Sequence, residues 1–101
     1  MIAHNVYISL NDNSTAARQS LLDACQKYLS NHPGIVSFAC GTRAADHVRA
    51  VNDLDFDVGL HIVFEDKAAH DRYQAAPLHV QFVEENRGNW KKARVFDSVL
   101  E

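Results

Sequence analysis

The sequence is poor in cysteine, proline and glycine, with two, two and four of each in 101 residues. Cys25 and Cys40 form no CxxC pair, so they supply neither the four thiolates of an iron–sulfur cluster nor a paired zinc-ligand spacing. No apolar run approaches the roughly 20 residues that cross a bilayer, so no membrane association is expected. Positive charge is scarce as well. The ten Lys and Arg are scattered, the net charge is −3 and the pI is near 6.0, which leaves no basic stripe for nucleic acid. No charged-then-apolar leader precedes the first strand-like segment, and free thiols in a reducing cytoplasm are the expectation. GxSxG, phosphate-loop and GxGxxG motifs are missing, and neither cysteine has a recognisable activating neighbour. Nucleophilic catalysis and nucleotide binding therefore have no sequence support.

What is present suits an ordinary globular domain. The chain is 47% hydrophobic and 23% charged, and its length predicts one domain over residues 1–101. The opening "IAHNVYISL" alternates: Ile2, His4, Val6, Ile8 and Leu10 share one face of a strand, and Asn5, Tyr7 and Ser9 the other. Ser14 or Thr15 can cap a helix running to about Asn31, whose apolar stripe is Leu21, Leu22, Cys25, Tyr28 and Leu29. Pro33 and Gly34 stop it, and "IVSFACG" reads as a second strand. Residues 42–55 hold no sustained pattern and are expected to form a long connection with room for a helical turn. The third strand is the clearest, with Phe56, Val58, Leu60, Ile62 and Phe64 on its apolar face. "KAAHDRYQAA" is a short helix ended by Pro77, and Pro77 opens another, "PLHVQFVEEN", where its missing N–H costs nothing. Arg87 to Asn89 break that helix and "ARVFDSVL" is the last strand.

The order β-α-β-β-α-α-β predicts a ferredoxin-like α+β sandwich, a four-stranded antiparallel sheet with helices on one face. The other face carries Tyr7, Ser9, Gly59, His61 and Val63, too apolar for full exposure. Such a face is usually covered by a partner, and a two-fold homodimer is expected.

Six histidines, at 4, 32, 47, 61, 70 and 79, raise the question of metal, but no pair has the i, i+2 or i, i+4 spacing of a local site. No metal is expected, and His32, His47 and His70 read as surface or hydrogen-bonded groups. His4 lies on an apolar strand face, either as a satisfied structural group or as an acid or base beside a cavity. Asp53, Asp55 and Asp57 alternate without the glycine and distal glutamate of a calcium loop, and read as solvated residues leading into a strand.

The C-terminal half carries a denser pattern. An alternating strand ends in Phe64 and Glu65, a helix closes in Tyr73, Pro77-x-His79-x-x-Phe82 follows, and Trp90 precedes the last strand. With His4 on the opening strand and the "PGIVSFACG" segment, this succession resembles the stress-responsive A/B barrel domain family, known as Dabb. The resemblance covers essentially the whole chain. It implies a protomer whose sheet packs on its partner's to form a dimeric α+β barrel, without cofactor. One plant member, olivetolic acid cyclase, uses a Tyr and a His in this helix–Pro–helix setting as an acid–base pair, and Tyr73 and His79 match them. His4 matches its first-strand histidine. Val58 and Cys25 stand where that enzyme has a third-strand histidine and a helical tyrosine, which makes the same substrate unsupported. The resemblance thus implies catalytic candidates Tyr73 and His79, with His4, Val58 and Cys25 around a small apolar or aromatic ligand. The alternatives are a non-enzymatic structural dimer and a cofactor-free monooxygenase.

Overall fold

In the computed structural model all of residues 1–101 are described, and the chain follows β1 (Ile2–Leu10), α1 (Thr15–Leu29), β2 (Ile35–Thr42), β3 (Val58–Phe64), α2 (Lys67–Ala75), α3 (Pro77–Asn86), a 3₁₀ turn (Arg87–Asn89) and β4 (Trp90–Val99). The strands form one antiparallel sheet in the order β2-β3-β1-β4. This is the ferredoxin-like arrangement, with the helices on one side. No helix is long and apolar enough to cross a membrane.

Local chemistry explains the boundaries. The Ser14 hydroxyl accepts the Ala17 N–H at 3.2 Å and starts α1, and Asp66 accepts the Ala69 N–H at 2.8 Å to start α2. Helix α1 ends at Leu29, two residues short of the sequence expectation, because the Ser30 hydroxyl donates back to the Gln26 carbonyl. Gly34 then turns the chain at φ +87°, where a β-carbon would also meet the Ala69 side chain at 2.4 Å. Between α2 and α3, Ala76 is extended (ψ 141°), as a residue before proline prefers, and Pro77 takes the first helical position.

The core lies between the inner sheet face and the helices. Ile8, Val58, Leu60, Ile62 and Phe64 of the sheet meet Leu21, Cys25, Leu29, Ala69, Tyr73 and Phe82 of the helices, and all are buried. Alternation on β1 and β3 delivers these residues to one side, as period 2 requires. β4 starts at Trp90 rather than Ala93, since Trp90 pairs with Leu10 across a register shift.

Residues 43–57 contain two turns and no helix, and cross the outer sheet face. The three aspartates here are not simply solvated. Asp53 accepts from Arg94 at 2.7 Å, Asp55 pairs with Lys92, and Asp57 accepts the Leu10 N–H at 2.8 Å. Those cationic partners hold the Asp53 and Asp55 carboxyls below the ordinary carboxylate range. The connection is tied to β1 and β4, which is why Ser9, on the outer face, is buried with its hydroxyl donating to the Asp55 carbonyl.

Candidate active site

The Pro77 break aims two helices at the same place. Tyr73 sits in the last turn of α2 and His79 in the first turn of α3, and their ring centres are 4.7 Å apart in an edge-on arrangement. His4, on β1, approaches the Tyr73 ring from the sheet at 5.9 Å. A cavity of about 160 Å³ opens to solvent between β1, β4 and the helices, and its wall includes His4, Tyr73 and His79. The remaining wall is apolar apart from Gln74, with Val6, Ile8, Leu29, Leu60, Phe82, Val83, Trp90, Ala93 and Val95.

Two further histidines close on the same tyrosine. His32 stands edge-on to the Tyr73 ring at 5.1 Å, anchored by its ring nitrogen at 2.7 Å from the Tyr28 carbonyl. His70 stacks on Phe64 at 5.0 Å and lies 4.5 Å from His4. His32 and His70, expected at the surface or hydrogen-bonded, are both hydrogen-bonded and stand half-buried beside Tyr73. The i, i+3 spacing of His70 and Tyr73 on one helix was the signal that could have found this. His47 alone is the exposed loop residue expected.

The protonation states follow from burial. His79 is held below the ordinary histidine value, first by burial and then by His4, His32 and His70, so its imidazole is neutral at pH 7. Burial, and then Cys25, pushes the Tyr73 hydroxyl up, so it stays a donor. His4, Nδ1 to Asp97 Oδ1 at 2.6 Å, donates its proton across the β1–β4 ladder to a carboxylate that can only accept. His4, His32, His61 and His70 each engage a ring nitrogen with a protein group. His79 has no such partner, and neither has the Tyr73 hydroxyl. The indole N–H of Trp90, on the same wall, is buried without an acceptor.

The cavity does not include Val58 or Cys25. Val58 is fully buried, paired with Ile8 and Thr42 in the sheet. Cys25 is fully buried under α1 beside Cys40, and burial pushes its thiol up to about 12, the state of inert packing. A third-strand valine and a helical cysteine thus belong to the core floor, while Gln74, Trp90, Val83 and Val95 take the wall positions that periodicity did not single out.

The family model of the stress responsive A/B barrel domain matches residues 2–100. Among solved structures, a Dabb family protein with a ferredoxin-like fold from Mesorhizobium loti is 26% identical, with 99% of this chain and 96% of that one covered and a TM-score of 0.81. A dimeric ferredoxin-like protein of unknown function from Thermobifida fusca is 17% identical, with coverage of 98% and 90% and a TM-score of 0.81. The hydroxynitrile lyase of Passiflora edulis is 17% identical, with coverage of 99% and 93% and a TM-score of 0.78. No curated protein matches the sequence.

Proposed function

The chain belongs to the stress-responsive A/B barrel domain family, and we propose that it is a homodimer that binds a small aromatic carbonyl compound in the inner cavity and moves a proton on it without a cofactor. The observation that carries this is the pairing of a neutral, unbonded His79 with a protonated, unbonded Tyr73 on the wall of an open apolar cavity. A cavity of about 150 Å³ holds a benzene-sized molecule, so one aromatic ring fits and any longer substituent leaves through the mouth.

The mechanism follows from the two groups. His79 accepts the acidic proton from the carbon beside a carbonyl, and Tyr73 donates a hydrogen bond to the oxygen on which negative charge develops. The apolar wall keeps water from competing for both. His4, oriented by Asp97, lies beside Tyr73 and offers a second polar contact to the substrate. A closed structural dimer would instead need His79 bonded inside the protein, and it is not. The domain works as one unit of residues 1–101 in the cytoplasm, where Cys25 and Cys40 stay as thiols.

The dimer rests on the outer sheet face. Tyr7 packs edge-on against Phe56, His61 and Phe96 there, and Phe96 is about half exposed, while solved relatives of the same fold are described as dimeric.

Deuterium exchange at the methyl group of acetophenone, followed by proton NMR in D₂O, tests the chemistry. The native chain accelerates exchange, and His79→Gln loses the acceleration by roughly 10²–10⁴-fold, the range for a general base. Equal exchange rates for the native chain and His79→Gln would overturn the assignment.

A further inference from the structure

His4, His70 and Asp97 come from three elements that are remote in sequence. His4 and Asp97 are opposite each other in the β1–β4 ladder, and His70 reaches them from α2. One donor atom from each lies within 4.8 Å of the other two. Helix α2 fixes His70 from outside the cluster: its ring stacks on Phe64, and the Gln74 side-chain amide meets its Nε2 at 3.0 Å, where the amide, turned to present its oxygen, accepts the Nε2–H and leaves Nδ1 as the ligand atom. His4 is 3% exposed and is positioned by its strand, so two of the three donors are already oriented.

We propose that these three side chains form a binding site for a divalent first-row transition metal ion such as zinc. Two imidazoles and one carboxylate are a donor set that suits zinc, cobalt, nickel or ferrous iron, and three protein ligands leave a coordination position open. Calcium and magnesium prefer all-oxygen shells and fit it poorly. The cation takes the place of the His4 Nδ1 proton between His4 and Asp97, the imidazole carrying its proton on Nε2 instead, and the ion's charge balances the carboxylate. Sequence spacing could not show the site, because no two of its ligands are neighbours on one element. His4 also lies on the cavity wall, so the ion borders the cavity without using Tyr73 or His79.

The site is tested on the full chain, purified without a histidine tag, by titration with cobalt(II) chloride and competition with zinc chloride. One cobalt ion binds per chain with visible absorption bands, and zinc displaces it. His70→Ala and Asp97→Asn, at positions half-buried and exposed, each weaken binding by about 10–100-fold or more with the circular dichroism spectrum retained. His47→Ala, on the exposed connection, leaves binding unchanged. Absence of a one-to-one complex at millimolar metal overturns the site, as does a complex that survives both substitutions. The absorption requires no turnover, so failure here leaves the Tyr73–His79 assignment standing, and failure of proton exchange leaves the metal site standing.

Discussion

The two faces of the one sheet solve opposite problems. On the inner face, His4 meets Tyr73, His70 and Phe64 under the helices, where burial keeps His70 and His79 neutral and Tyr73 protonated. On the outer face, one residue along in the same strand, Asn5 bonds His61, and Tyr7 joins Phe56 and Phe96. There the charges are kept: Arg94 and Lys92 pair with Asp53 and Asp55 at the surface. Identical backbone geometry thus yields an apolar pocket on one side and a charged, aromatic face on the other. What separates them is solvent access, which sets whether a titratable group is cheaper charged or neutral.

The sharpest way to break the contrast is to remove its inner floor. Phe64→Ala deletes a fully buried ring that His4, His70 and Tyr73 all contact, and is expected to cost about 3–5 kcal/mol in urea unfolding. An unchanged midpoint would mean that the aromatic cluster is not a stabilising unit. A charge on the outer face tests the other side. Phe96→Glu is expected to turn the dimer into a monomer in light scattering while leaving the acetophenone exchange rate per chain within about twofold, since aromatic residues at an interface core carry much of its energy. Persistence of the dimer would move the interface elsewhere.

Acid acts on the two faces differently. His79 and His70 are held below the ordinary histidine value of 6.5, each by burial first and then by neighbouring histidines. Below about pH 6.5 the unfolded chain therefore takes up protons that the folded chain refuses, and stability falls as pH drops toward the folded values. The same depression keeps His79 active as a base below pH 6.5, so the acidic limb of the exchange rate lies under that value. A Tm that is flat from pH 7.5 to 5, in a His70→Ala, His79→Gln double variant as in the native chain, would contradict the burial argument. The mildest effect belongs to the outer ion pairs. Lys92→Ala with Arg94→Ala leaves the Tm nearly unchanged, as surface pairs generally do, but speeds amide exchange in residues 43–57.

Much of this architecture was legible because periodicity is local. Alternation placed β1 and β3, the Leu21–Leu29 stripe placed α1, and Pro77 marked the division between α2 and α3 to the residue. Tyr73 and His79 could be singled out because one proline fixes their relation along the chain. The misses share one cause. Asp53 and Asp55 are exposed as read, but their partners Arg94 and Lys92 lie about forty residues away and gave no local signal. Cys25 and Val58 looked like pocket residues from motif position, and only the packing of α1 on the sheet puts them in the floor. His70 reads as a surface or hydrogen-bonded group, and its i, i+3 relation to Tyr73 is the one local hint of the Phe64 and His4 rings beside it.

The sequence by itself determined the elements, their order and which face of each is apolar, since side-chain periodicity and turn chemistry act within a few residues. Only the tertiary structure decided that four histidines surround one tyrosine, that a cavity remains beside two of them, and that His4 and Asp97 form a hydrogen bond across a ladder. Those are contacts between residues up to 93 positions apart, and neither burial nor the protonation it enforces exists until the sheet and the helices have closed on each other.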